Sequence, residues 1–142
     1  MQKGLVWNIE QGLKLSPQDI GRAEALRTTL WHRVRTFMAT RDLLILPTVA
    51  VPPFPVEMPY PTEINGKPLD NYTQWFFLTY GITVTGLPAI SVPCGFTASG
   101  LPVGLQIVGR RHQETMVLRA AAAFEAAAPW AHRFPPTVTG VA

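Results

Sequence analysis

Gly81–Arg110 reads GITVTGLPAISVPCGFTASGLPVGLQIVGR, and its two apolar runs, Ala89–Val92 and Val103–Val108, decide the fold. Both runs are rich in Val and Ile and bounded by Gly and Pro, residues that end strands and open turns. The Ser99-Gly100 pair between them is a turn signal, so the runs are expected as antiparallel neighbours joined by a tight loop. Apolar side chains stand at nearly every position rather than every second one, which calls for cover on both faces of the sheet. A two-stranded ribbon has no such cover of its own, so flanking helices must supply it.

Working outward, Asp42-Leu43-Leu44-Ile45-Leu46-Pro47 is a short apolar run closed by proline, expected as a central strand buried on both faces. The segment before it opens with Ser16-Pro17-Gln18-Asp19. Ser16 suits a cap, Pro17 suits the first helical position, and Asp19 sits where a capping-box acid faces the positive end of the helix dipole. Ile20, Ala23, Leu26, Leu30, Val34, Phe37 and Met38 follow at spacings of three and four, which predicts an amphipathic helix. Met1 to Leu15 reads as irregular. Residues 48–70 are proline-rich and without period, a long loop whose clearest turn is Asn65-Gly66. Tyr72 to Thr83 reads as an aromatic-rich helix. Glu114 to Ala128 reads as a helix with a face of Val117, Leu118, Ala121 and Phe124, ended by Pro129. The tail from Trp130 to Ala142 is expected to be extended. The order of elements predicts an α/β arrangement, a mixed sheet flanked by helices. Three strands are few for two helical layers, so further strands are expected outside this chain.

Composition narrows the function classes. With 142 residues, 47% of them hydrophobic and 15% charged, the chain belongs with soluble globular domains. The net charge of +3 is mild. Arg22, Arg27, Arg33, Arg35 and Arg41 scatter around the long helix, among acids such as Asp19 and Glu24. That pattern is a solvated face and not a nucleic-acid footprint. A single cysteine, Cys94, excludes an internal disulfide and fits a reducing compartment. No signal peptide is evident, and Trp75 to Val92, the most apolar window, is too interrupted by Thr, Gly and Pro to span a membrane. The expectation is a cytoplasmic protein that binds neither nucleic acid nor membrane.

The residues offer no catalytic set. The serines are Ser16 at a helix cap, Ser91 inside a strand and Ser99 at a turn, none in a Gly-x-Ser-x-Gly context. Cys94 reads as a packing residue rather than a nucleophile, since no imidazole, cation or helix start is guaranteed beside it. His32, His112 and His132 lack metal-ligand spacing, so no metal and no cofactor is expected. Gly104 to Gly109 copies the glycine spacing of a phosphate loop without its Lys-Ser/Thr end, and the spacer is a strand. Glu57 and Glu63 lie in a loop with no order to hold them as an acid pair.

Three segments together resemble a family. Gly86-Leu87-Pro88-Ala89-Ile90-Ser91-Val92-Pro93-Cys94-Gly95, then Gly100-Leu101-Pro102-Val103-Gly104-Leu105-Gln106-Ile107-Val108-Gly109, resemble the C-terminal portion of amidase signature enzymes. Asp42-Leu43-Leu44-Ile45-Leu46-Pro47-Thr48 after a long helix resembles it too. The likeness runs along residues 1–142 in order. It implies an α/β/α fold on a large mixed sheet and hydrolysis of carboxylic amides through an acyl-enzyme. In the family a nucleophilic serine, a bridging cis-serine and a lysine base do the chemistry, and a Gly/Ser-rich segment of the N-terminal half carries them. This chain has no Gly-Gly-Ser-Ser run, and Lys3, Lys14 and Lys67 stand in none of the family's catalytic contexts, so no catalytic residue carries over.

The resemblance further implies that Trp75, Phe76, Tyr80 and Thr83 line a substrate pocket in the whole enzyme; packing against the sheet is the competing account of the same side chains. The A subunits of the tRNA-dependent amidotransferases, a branch of this family, place an acid near Trp75–Phe76 to hold glutamine. The bulky apolar side chains here favour an uncharged aryl or alkyl amide. Three readings stand open: an amidase C-terminal part inactive alone, a fragment of such an amidotransferase, and a non-catalytic module that self-assembles through unpaired strand edges.

Overall fold

The computed structural model describes residues 3–130. The tail beyond Trp130, expected to be extended, lies outside them. Three strands form the main sheet in the order β1, β3, β2 once the elements that shape it are labelled: β1 is Leu43–Pro47, β2 is Ala89–Phe96 and β3 is Pro102–Gly109. Both pairings are antiparallel. The two runs of the Gly81–Arg110 stretch are neighbours as expected, and their loop closes by Gly100 N–H donating to the Thr97 carbonyl at 2.9 Å. The mixed pairing anticipated for the sheet is not met among these three strands.

Register assigns the faces. Directly opposed residues share a face, so Leu43, Ile107, Leu105, Ile90 and Val92 point one way and Leu44, Val108, Gln106, Ala89 and Ser91 the other. Helix α4 (Glu114–Ala127) covers the first face, where Val92, Ile107 and Ala121 form the core with Phe124 packed against them. Gln106 lies on the second face and donates its Nε2–H to the Leu78 carbonyl at 3.3 Å, tying down helix α3 (Phe77–Thr85). Helix α2 (Pro17–Met38) packs against α3. The result is a sheet between helices, an α/β arrangement as the apolar runs required.

Local signals account for several boundaries. Ser16 caps α2, its hydroxyl oxygen accepting from Asp19 N–H while the Asp19 carboxylate accepts from Ser16 N–H, a reciprocal capping box. Asn65 and Gly66, at φ 52° and 71°, turn a small hairpin (Glu63–Ile64 with Lys67–Pro68) inside the long loop. Positive φ at both central residues is the twist-matched geometry that Asn-Gly favours.

Four expectations are corrected. Lys3–Gly12 is a helix, α1, not an irregular segment. Its anchor is distant in sequence: Trp7 packs edge-on against Tyr72 at 6.2 Å, and Asn8 Nδ2 donates to Tyr72 Oη. Among the described residues strand β1 is at the edge of the sheet, not its centre, and Ile45 is 57% exposed. A continuous apolar run reports that both faces are greasy, not how many neighbours flank the strand. Leu118 lies outside the buried face of α4 at 60% exposed, since one helical turn from Val117 to Ala121 suffices to meet the sheet. On α2, Met38 is buried but Ile20, Leu26 and Phe37 are exposed, and Arg41 falls beyond the helix end with its guanidinium 4.0 Å over the Phe37 ring.

Candidate functional site

The proline-rich loop leaves β1 under close control. Thr48 N–H donates to the Gly104 carbonyl at 3.1 Å, and Thr48 Oγ1 and Ser91 Oγ share a hydrogen bond of 2.7 Å across the sheet. Gly104 lies between them: a Cβ there would stand 2.8 Å from Thr48 Oγ1 and 3.0 Å from Ser91 Oγ. A glycine inside a strand marks such a close approach. The pinned loop then rises as one wall of an open hollow of about 570 Å³. Val49 and Phe54 of the loop, Val103 and Leu105 of β3 and Trp75 are among the residues that line it. No carboxylate, amine, guanidinium or imidazole is among its lining side chains. Cys94, in the β-bulge between Pro93 and Gly95, adds its exposed thiol, whose Sγ lies 3.6 Å from the Val103 carbonyl.

Trp75 is held by edge-on aromatic contacts. Its ring meets Phe54 at 5.4 Å and Phe76 at 5.4 Å, and Phe76 meets Tyr80 at 5.7 Å. Such pairs add about 0.5–1.5 kcal/mol each beyond area burial, enough to fix ring positions. Trp75 and Phe76 belong to a short 3-10 turn, Gln74–Phe76, that leads into α3. The predicted aromatic helix is therefore a 3-10 turn followed by an α-helix.

The four residues expected at the pocket do not converge on one hollow. Trp75 lines the apolar one. Phe76 and Tyr80 continue the aromatic ladder, with Tyr80 37% exposed. Thr83 lies on a second, polar hollow of about 340 Å³ formed with α2 and Arg111, and its hydroxyl donates to the Thr79 carbonyl at 3.1 Å. Phe54, Val103 and Leu105 escaped sequence reading because nothing local marks a loop residue as facing a strand. Gly104 was the one available pointer.

Among the described residues, no three His, Cys, Asp or Glu side chains are placed to hold a metal ion. His132 lies outside them. No helix among the described residues is long and apolar enough to cross a membrane. One carboxylate is perturbed: the Ser16 hydroxyl and then the Ser16 N–H donate to Asp19 and hold its pKa below the usual 3.8.

Comparison with known proteins places this geometry. The amidase family profile matches residues 5–118. An acylamidase of Rhodococcus erythropolis is 42% identical over 132 residues, 92% of this chain and 28% of the relative. The A subunit of the glutamyl-tRNA(Gln) amidotransferase of Thermodesulfovibrio yellowstonii is 36% identical over 115 residues, 81% of this chain and 22% of the relative. The crystal structure of a bacterial aryl acylamidase of the amidase signature family superposes with a TM-score of 0.84 at 34% identity, over 93% of this chain and 27% of that one. The chain thus spans between a fifth and a third of the length of these relatives.

Proposed function

The chain belongs to the amidase family, and on that premise we propose that it is the C-terminal part of an amidase signature enzyme for uncharged, apolar carboxylic amides, without turnover of its own. The observation that carries the substrate assignment is the apolar hollow beside Trp75, whose lining offers no charge to pair with an ionic substrate. Apolar walls exclude water around an acyl or aryl group and leave polar recognition to a few donors. Hydrolysis also needs a nucleophile, a base and preorganised oxyanion donors. In this reading those come from a Gly/Ser-rich segment that the chain does not contain; Trp75 contributes substrate contact, braced by Phe76 and through it Tyr80, while Thr83 opens onto the other hollow.

Two assays test it. The purified chain should not hydrolyse acetanilide-type amides; turnover that persists in Ser91→Ala and Cys94→Ala variants would overturn the claim that the chemistry lies elsewhere. Grafted in place of the matching segment of the Rhodococcus acylamidase, the chain should support aryl amide hydrolysis, and Trp75→Ala should lower kcat/KM about tenfold or more, the scale of one lost aromatic wall. A graft that turns over glutamine in preference to an aryl amide would instead support the amidotransferase reading.

Self-association is a second reading with its own support. β1 and β2 each pair on one side only among the described residues, and Ile45 of β1 is exposed. Unpaired edges with apolar side chains template association. Light scattering that shows a monomer at high concentration would remove this reading.

A further inference from the structure

From the polar hollow between α2 and the end of α3, we propose a binding site for a small organic carboxylate. Arg27, Thr28 and Trp31 of α2 face Thr83 to Gly86 across it, and Arg111 closes it from beyond β3. The lining holds two guanidinium groups and no carboxylate. Arg27 is half engaged, with its Nη2 2.7 Å from Glu24 Oε2 in an exposed pair. Exposed pairs of this kind are weak and exchange readily. Arg111 has no ion pair or hydrogen bond among the described residues, so its donors are unspent.

The C-terminal end of α3 accounts for part of this arrangement, since helix ends with free carbonyls favour cations. It does not account for all of it. Gly86 N–H already donates to the Thr83 carbonyl and the Thr85 hydroxyl to the Ile82 carbonyl at 2.6 Å, so that end is partly satisfied. With Arg27 matched by Glu24, the partial negative charge of that end still does not cancel the full charge of Arg111. The threonines cannot be the recognition donors: Thr28, Thr83 and Thr85 each give their hydroxyl proton to a backbone carbonyl. Recognition therefore falls to the guanidinium forks, whose planar donor pairs match a carboxylate.

The hollow, about 340 Å³, is larger than a bare inorganic anion requires. Trp31 and Val84 supply an apolar wall for an aryl or alkyl body attached to the carboxylate. The acid released by amide hydrolysis has this chemistry, but binding here does not depend on the amidase reading, because it is measured on the isolated chain with no turnover.

The test is calorimetric titration of the full chain with benzoate, with acetate and inorganic phosphate as comparison arms, at low and at moderate salt. Benzoate should bind saturably, more tightly than acetate, and more weakly as salt rises. Arg111→Gln should weaken benzoate about tenfold or more, the scale of one lost charge-assisted contact, and Arg27→Gln should weaken it less. Far-UV circular dichroism confirms that both exposed-residue variants keep the fold. Benzoate affinity unchanged in both variants, or no saturable binding in the parent chain, overturns the site. Phosphate binding as tightly as benzoate overturns the assignment to an organic carboxylate.

Discussion

Gly109→Ala tests the contact that seats α4 on the sheet. Gly109 ends β3, opposite Leu43, and is buried. A Cβ at this position would stand 2.5 Å from Val117 Cγ2, 3.4 Å from the Gln113 carbonyl oxygen and 3.6 Å from Pro88 Cγ. Carbon atoms rest about 3.5–4.0 Å apart at optimal contact, so the added methyl overlaps Val117 by about 1 Å. Val117 is 3% exposed and has no room to swing away without disturbing its neighbours. Overpacking of this kind costs about 1–3 kcal/mol. The φ at Gly109 is not in the left-handed region, so backbone strain adds nothing. Removing glycine also restricts the unfolded chain, which returns about 0.4–1 kcal/mol. An approach of 2.5 Å belongs in the upper half of that range, so about 2–3 kcal/mol less about 0.4–1 kcal/mol leaves a net loss of about 1–2.5 kcal/mol, or about 3–10 °C in Tm for a chain of this length. Urea denaturation followed by far-UV circular dichroism measures it. Val117→Ala alone removes two buried methyl equivalents and should cost about 2 kcal/mol. The double variant should then lose at least about 1 kcal/mol less than the sum, since the methyl added at position 109 occupies the space Val117 vacates. A Gly109→Ala chain within about 0.5 kcal/mol of the parent, or a strictly additive double variant, would refute the steric account.

The capping box makes two linked predictions. Ser16→Ala should lower stability by about 1 kcal/mol, the usual worth of such a cap, read from the urea midpoint near neutral pH. The Asp19 carboxylate has its pKa below 3.8 in the folded chain, so its contribution is present above the unfolded value and is lost as pH falls through the folded one. The midpoint difference between parent and Asp19→Asn should therefore shrink on going from pH 7 to about pH 2, and a difference that grows instead would reverse the sign of this argument. Gly104→Ala places a methyl against the Thr48 and Ser91 hydroxyls and should part them, releasing the proline-rich wall of the apolar hollow. Limited proteolysis should then cut residues 48–60 faster than in the parent, with stability lower by about 1–3 kcal/mol. Unchanged cleavage would show that the hydroxyl pair does not hold the loop.

Sequence alone determined what near neighbours along the chain control. The Ser16-to-Asp19 box started α2, Asn65-Gly66 turned the small hairpin, Ser99-Gly100 joined β2 to β3, and the apolar runs announced a sheet with helices on both sides. Each of these depends on φ, ψ preferences or hydrogen bonds within a few residues, so each is written locally. The three matching segments likewise carried the family. Tertiary structure decided the rest, because the deciding contacts join residues far apart in the chain. α1 exists against Tyr72, whose hydroxyl Asn8 reaches from 64 residues away. The hollow's wall depends on Thr48 meeting Ser91, 43 residues on. Ile45 and Leu26 look as apolar as Val108 in sequence, yet Val108 is fully buried and the other two are exposed, since burial is set by which surfaces meet. For the same reason Trp75 and Thr83, eight residues apart on one aromatic segment, open onto different hollows of opposite chemistry.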